Sequence, residues 1–338
     1  MSGQGKESVA VVGAGSWGTA FAAMLAGTYD RVALWAFEPS VCADILDRRE
    51  NRAFLPGIVL PGGVRPTNDL AEAVSGRTVV AFAVPSHHLR GVAARAAAHL
   101  SPGACLVSLA KGVENGTLKR MTELLAEAAP DHALRVAALS GPTFAREVAE
   151  GKPTGATVAA RDLAVARRLQ HALAGPRFRL YADDDVTGIE IGGALKNVMA
   201  IAAGMADGLG FGHNARALLI SRGLAEISRL GVRLGAHPQT FAGLSGMGDL
   251  VLTCTGDLSR NRTVGMRLGR GERIEDVLAG MTMVAEGVRT AVSAVELSRR
   301  TGVPMPISEQ VHGILHGGKD VRQAVDELFS RALKREKE

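Results

Sequence analysis

The feature that most restricts this chain lies near its start. Ser8 to Val12 is a short β-type apolar run that leads directly into Gly13-Ala14-Gly15-Ser16-Trp17-Gly18; an apolar helical stretch, Thr19 to Leu25, and a second β-type run, Arg31 to Ala36, follow. A GxGxxG pattern alone is weak, because glycine-rich turns are common. Set between a strand and a helix, with another strand beyond, it reads as the first turn of a βαβ unit. In that reading Gly13 permits the tight turn, Gly15 lets the backbone approach a pyrophosphate, and Gly18 lets the helix pack on the sheet. Free N–H groups at the helix start, around Ser16 and Trp17, would hold the phosphates of a dinucleotide. The competing reading is a structural turn with no ligand.

Glu38 follows Gly18 by 20 residues, where an acidic side chain accepts hydrogen bonds from the adenosine ribose and disfavours a 2′-phosphate. That points to NAD. Two alternatives stay open: Glu38 as a cap for the helix that begins near Pro39, and Arg48, Arg49 and Arg52 as partners for a 2′-phosphate.

The alternation of strand and helix continues to about Tyr181. Thr78 to Val84, Ala104 to Ser108 and Val136 to Leu139 read as buried strands, and Leu89 to Leu100 and Leu118 to Ala129 as helices. The expected architecture is an open, doubly wound sheet with ligands at the carboxyl ends of its strands. Pro85-Ser86-His87-His88, Ala110-Lys111-Gly112 and Ser140-Gly141-Pro142-Thr143-Phe144-Ala145 fall at such ends. Lys111 thus lies where an ammonium would meet a substrate oxygen or a cofactor phosphate, against the plain reading of a solvated loop lysine. His87 and His88 read as helix-capping residues and are left out of catalysis.

After Asp183-Asp184-Asp185 the strand signals stop and helix signals take over, which places a domain boundary there. In Val186 to Asp207 the residues Ile189, Leu195, Val198, Met199 and Ala202 recur at helical spacing, while Gly188, Gly192 and Gly193 admit a close neighbouring backbone. Lys196 is out of place there. A lysine that cannot reach water needs a fixed anionic or polar partner, unless it snorkels to the surface. Leu218 to Leu234 is a second apolar helix. Beyond it, Leu244 to Leu250 and Thr253 to Arg262 hold a density of Gly, Ser, Thr, Asp, Arg and Asn that helix packing does not require. Arg260 as a forked donor, Ser259 and Asn261 as neutral donors, and Asp249 as an orienting carboxylate have the chemistry of an anion grip. The alternative is a helix cap with a surface salt bridge.

A length of 338 residues suits two domains. With 46% hydrophobic and 22% charged residues the chain is of globular type. No apolar run is expected to reach membrane-span length, and the start MSGQGKES is polar, so a cytoplasmic protein without stable membrane insertion is expected. Cys42, Cys105 and Cys254 show no CxxC spacing and read as reduced packing residues, with no metal site. The net charge of +5 is spread along the chain and aromatics make up only 4%, which disfavours nucleic acid and fits small anionic ligands.

The series GAGSWGTA, AVPSHHLR, KGVE, SGPTFAREVAEGKPT, GALKNVMAIAAG, SRGLAEISRLG, FAGLSGMGDLVLTCTGDLSRNR and VAEGVRTA, in this order over nearly the whole chain, resembles the bacterial NAD(P)-dependent glycerol-3-phosphate dehydrogenase family. The resemblance implies a Rossmann-type NAD(P)-binding domain over 1–185 and an all-helical substrate-binding and catalytic domain over 186–338. It implies interconversion of sn-glycerol 3-phosphate and dihydroxyacetone phosphate by hydride transfer, which supplies phospholipid synthesis. It further implies that Lys196 is the catalytic lysine and that Lys111 serves both cofactor and substrate. Gly141 and Thr143 match substrate contacts and Ala145 a cofactor contact. Asp249, Ser259, Arg260 and Asn261 match the glycerol-phosphate site, with Arg260 also near the cofactor. Val284 and Glu286 match late cofactor contacts, and Ser16 and Trp17 the pyrophosphate turn; from the residues alone, Glu286-Gly287 reads only as a helix start. Many bacterial members have an arginine directly after the second strand, which suits NADPH. Ala36-Phe37-Glu38 stands here, so the expected cofactor is NAD or NADP, leaning to NAD. His213 stands where an aspartate is common. The partner expected is the small-molecule substrate, with a homodimer as the one assembly entertained. The rival readings are a two-domain hydroxy-acid or keto-acid reductase and a non-catalytic dinucleotide sensor.

Overall fold

A computed structural model describes residues 7–281, 283–333, 335 and 336. Most of the polar start and part of the charged tail lie outside the described residues. The first half builds an eight-stranded sheet: β1 (Val9–Val12), β2 (Val32–Trp35), β3 (Val64–Thr67), β4 (Val79–Phe82), β5 (Cys105–Ser108), β6 (Val136–Ser140), β7 (Thr154–Ala160) and β8 (Phe178–Asp183). Their spatial order is β3-β2-β1-β4-β5-β6-β7-β8. Neighbours run parallel except β6 and β7, so the last pair reverses direction. Helices α1 (Ser16–Leu25), α2 (Pro39–Arg48), α3 (Leu70–Val74), α4 (Ser86–Ala97), α5 (Met121–Ala128), α6 (Ala145–Ala149) and α7 (Leu163–Leu173) connect the strands.

Both faces of the sheet are covered, which explains why its central strands read as unbroken apolar runs. Val9 and Val11 join one core layer with Phe21 and Leu34, while Ala10 and Val12 join the opposite layer with Phe82 and Leu89. The reading from sequence named the central strands and missed the outer ones. β3 is a half-exposed edge strand containing Pro66, a residue confined to edges because it lacks an N–H. β8 is the other edge, with Arg179 and Tyr181 exposed. One helix needs a correction: α5 begins at Met121, because Leu118 holds φ 60, a left-handed conformation that no α-helix continues.

From Val186 onward the chain is helical: α8 (Val186–Gly208), α9 (His213–Arg233), α10 (Asp249–Thr255), α11 (Arg260–Gly269), α12 (Ile274–Ala279), α13 (Glu286–Thr301), α14 (Pro306–Gly317) and α15 (Val321–Phe329). α8 is the axis of this half. It is long and apolar enough to cross a membrane by length and composition, which corrects the expectation that no run would be, yet its apolar window is entirely buried inside the protein. Asp185 fixes its start, accepting from Gly188 N at 2.8 Å, His237 N at 2.8 Å and Thr240 Oγ1 at 2.6 Å. Glu190 ties it to the sheet half through Arg120 Nη1 at 3.0 Å and Thr122 Oγ1 at 2.6 Å. Its other end touches α11 backbone to backbone. A Cβ on Gly265 would lie 1.9 Å from Ile201 O, and one on Gly204 would lie 2.0 Å from Arg262 O.

Candidate active site

The glycine turn has the three properties expected of it. Gly13 holds φ +112, a Cβ on Gly18 would stand 1.9 Å from Gly13 O, and a Cβ on Gly15 would meet nothing within 4 Å. The backbone at Gly15 is therefore open to a ligand. α1 starts at Ser16 with no side-chain cap, and its first intrahelical bond to Gly15 O comes from Thr19 N. The N–H groups of Ser16, Trp17 and Gly18 are thus unmet by the helix, at its positive end. A dinucleotide pyrophosphate fits this cradle. Ser16 Oγ reaches Phe54 O at 2.6 Å and Met283 Sδ at 3.0 Å, which brings the segment before exposed Val284 over the turn. Ala145 opens α6, which packs on α1.

Glu38 occupies the N-cap position of α2, but its side chain makes no cap hydrogen bond and is exposed. The capping alternative therefore fails for the side chain. The nearby arginines are already partnered. Arg48 and Arg52 pair with Asp44 at 3.6 and 2.7 Å, and Arg49 donates to the carbonyls of Val64 and Pro61.

Lys196 does not snorkel. Its residue is 6% exposed, and Nζ donates to Asp249 Oδ1 at 2.5 Å and Thr253 Oγ1 at 2.7 Å. Thr253 Oγ1 also lies 2.6 Å from Asp249 O, to which its hydroxyl donates, so its oxygen is left to accept from the lysine. An ammonium has three donors. Two of Lys196's are fixed by the protein, and the third has no partner among the described residues. Burial pulls its pKa down to about 8, with Asp249 pulling upward and Lys111 pushing further down. Lys111 arrives from the sheet half and donates to Asp249 Oδ2 at 2.7 Å, Gly141 O at 2.8 Å and Thr143 Oγ1 at 3.2 Å. All three of its donors are used within the protein.

Two residues that the sequence reading did not single out extend this cluster. Thr253 is one. Asn197 is the other: its Nδ2 donates to Lys111 O at 3.3 Å, and its Oδ1 accepts from Asn261 Nδ2 at 2.9 Å, while Asn261 Oδ1 accepts from Gly287 N at 3.0 Å. Asn197 was findable by the criterion that found Lys196, a polar side chain among buried apolar neighbours of one helix.

The run around 260 divides between its two readings. Ser259 caps α11 by accepting from Arg262 N at 3.2 Å, and Arg262 is the salt-bridging residue, pairing with Asp207 at 2.8 Å and Asp257 at 2.9 Å. Arg260 is different: it is exposed and makes no hydrogen bond or ion pair among the described residues. The protein around it nevertheless lowers its pKa through desolvation, and the nearby charge of Glu286 opposes that. Glu286, first residue of α13, accepts from Ser86 N at 3.2 Å, and burial raises its pKa. His87 and His88 lie in the first turn of α4; burial, Arg289 and His88 hold His87 down to about 4, so it is neutral at pH 7. The structure thus gathers Lys111, Gly141, Thr143, Lys196 and Asp249 directly, links Asn261 to them through Asn197, and leaves Arg260 within the field of Glu286 without an ion pair between them. Glu38 and Val284 make no hydrogen bond with that cluster.

The chain matches the family models described as NAD-dependent glycerol-3-phosphate dehydrogenase N-terminus over residues 8–166 and C-terminus over residues 185–326. It is 54% identical over 332 residues to a glycerol-3-phosphate dehydrogenase (NAD(P)+) of Geobacter sulfurreducens, covering 98% of this chain and 99% of that one. A protein of the same description from Myxococcus xanthus is 55% identical over 328 residues, covering 96% and 98%. The crystal structure of glycerol-3-phosphate dehydrogenase from Coxiella burnetii superposes with a TM-score of 0.91 at 36% identity, covering 96% and 99%. A ketopantoate reductase family structure from Ralstonia eutropha, at 19% identity and a TM-score of 0.58, shares the fold alone.

Proposed function

We propose a mechanism from one premise: the chain belongs to the NAD-dependent glycerol-3-phosphate dehydrogenase family. It is an NAD(P)-dependent oxidoreductase that interconverts sn-glycerol 3-phosphate and dihydroxyacetone phosphate, and we assign it the supply of glycerol 3-phosphate to phospholipid synthesis.

The observation that carries the mechanism is a buried ammonium with one donor uncommitted among the described residues. In reduction, the C2 carbonyl carbon of dihydroxyacetone phosphate takes a hydride and its oxygen takes a proton from Lys196 Nζ, which yields the secondary alcohol and a neutral amine. In oxidation the neutral amine takes the hydroxyl proton back. The nicotinamide, when bound, supplies or accepts the hydride. Asp249 and Thr253 fix the direction of the amine, and a pKa near 8 lets both protonation states exist at neutral to mildly alkaline pH. Lys111, seated on Gly141 and Thr143, holds the second oxygen of Asp249. Arg260, forked and without a protein partner among the described residues, takes the substrate phosphate, with Ser259 and Asn261 shaping the start of its helix.

Gly13, Gly15, Ser16, Trp17 and Gly18 hold the pyrophosphate, with Ala145, Val284 and Glu286 completing the cofactor side. NAD is the preferred form. An exposed Glu38 carboxylate next to the ribose position, with Arg48, Arg49 and Arg52 engaged elsewhere, supports that preference. We divide the chain between residues 185 and 186, since β8 ends at Asp183 and Asp185 caps α8. The buried, unpaired Cys42, Cys105 and Cys254 support a cytoplasmic setting.

The test is dihydroxyacetone phosphate reduction followed by nicotinamide absorbance, with NADH and NADPH in turn, on the wild type and Lys196→Ala. The variant should lose about 10²- to 10⁴-fold in kcat and bind cofactor as before. Near-normal turnover would remove Lys196 from the chemistry, and a wild type inert with both cofactors would remove the assignment.

A further inference from the structure

A second cavity, of about 540 Å³, lies in the helical half behind α8. That volume falls within the roughly 300–1,000 Å³ of small-molecule sites. Ala202, Met205 and Ala206 of α8 form its floor, α9, α14 and α15 contribute Leu219, Ile314 and Leu328, and residues 331–333, 335 and 336 close part of its roof. The lining is predominantly aliphatic, and its rim is cationic. Arg222, Arg229, Arg331 and Arg335 all border it, and none forms an ion pair among the described residues. Among the described residues Arg222 donates only to a backbone carbonyl, that of Glu336, at 3.2 Å. Two acidic residues line the cavity: Glu336, which is exposed, and Glu226, which is 2% exposed and turned to the start of α14, where it accepts from Ile307 N at 2.7 Å and Ser308 N at 3.4 Å. The helix terminus engages its carboxylate, and the charge of Arg229 acts on it without an ion pair among the described residues.

An apolar chamber with unpaired guanidinium groups at its mouth is complementary to one kind of small molecule. We propose that this cavity binds a long-chain aliphatic carboxylate, with the chain between α9 and α14 and the head group on Arg222 and Arg229. Neither arginine belongs to the site around Lys196. The floor is nonetheless the same helix: Ala202 lies six residues past Lys196, about 9 Å along the axis. An occupant therefore packs against the back of the element that carries the amine.

The test uses the full-length protein and dansylaminoundecanoic acid as the fluorescent probe, below its micelle concentration. The expected result is saturable binding of one probe per chain, displaced by octanoate, decanoate and dodecanoate. Affinity should rise about fourfold per methylene, the equivalent of ~0.8 kcal/mol per buried CH₂. Dodecanol should compete at least tenfold more weakly than dodecanoate. Arg222→Gln/Arg229→Gln should weaken dodecanoate by tenfold or more and leave dodecanol unchanged, and Leu219→Trp should abolish binding. The chain-length series needs no variant, so it stands even where a variant misfolds. Absence of saturable binding, a flat chain-length series, or a dimer seen by sedimentation that shuts the probe out overturns the proposal, the last in favour of a second copy as the occupant.

Discussion

Lys111 and Lys196 come from opposite halves of the chain and meet on one carboxylate: Asp249 receives Lys196 on Oδ1 at 2.5 Å and Lys111 on Oδ2 at 2.7 Å. The two ammonium groups are not equivalent. Lys111 has all its donors inside the protein, whereas Lys196 has partners for only two of its three among the described residues. On the mechanism we propose, that asymmetry makes Lys196 the lysine that exchanges a proton.

The pH profile follows from that pair. Reduction requires protonated Lys196, so its kcat should fall as pH rises through about 8, and oxidation, which requires the neutral amine, should rise over the same interval. Asp249 raises this pKa and Lys111 lowers it. Asp249→Asn should move the midpoint down, and Lys111→Met should move it up. Profiles that move together, or not at all, would show that another group titrates.

Arg260→Gln should act through the phosphate. Hydrogen bonds to charged groups are worth about 1.5–3 kcal/mol, so KM for dihydroxyacetone phosphate should rise by roughly ten- to a hundredfold or somewhat more. The residual turnover of unphosphorylated dihydroxyacetone should change little. Equal losses on both substrates would make Arg260 a structural or cofactor residue.

Cofactor choice should respond to Glu38. A carboxylate facing a 2′-phosphate is a like-charge contact, which costs up to several kcal/mol. Glu38→Gln should lower the NAD to NADP ratio of kcat/KM by about tenfold or more. Steady-state kinetics with both cofactors measures this, and an unchanged ratio would detach Glu38 from the ribose.

Two glycines predict opposite stabilities. Gly265→Ala would put a methyl 1.9 Å from Ile201 O and should destabilise the fold by about 1–3 kcal/mol or more. Gly91, inside α4 with nothing within 4 Å of its Cβ position, should gain about 0.4–1 kcal/mol on change to alanine. Urea unfolding of both variants decides the matter, and similar shifts would deny the α8–α11 contact its importance.

The parts of this molecule visible in its sequence are those governed by local rules. The glycine turn was legible because each glycine answers a separate steric demand, and Lys196 because a charge on an apolar helix stands out. The reversal at β7 was not legible, since strand direction depends on neighbours distant in the chain and leaves no mark in the residues Thr154–Ala160. Nor was the division of labour between Arg260 and Arg262. Both follow Ser259 on one turn of helix, and Arg262 is paired by nearby Asp257 and by Asp207, more than fifty residues earlier, while Arg260 has no ion pair among the described residues.

α8 has a further consequence during synthesis. The helices α11, α13 and α14 that pack on it all follow it in the chain. A nascent polypeptide halted before Arg260 carries a greasy rod as long as a bilayer is thick, with its later wrapping still on the ribosome. Truncation before Arg260 should therefore leave one side of that rod uncovered, because Asp249 and Thr253, which hold Lys196, have been made by then but α11, α13 and α14 have not.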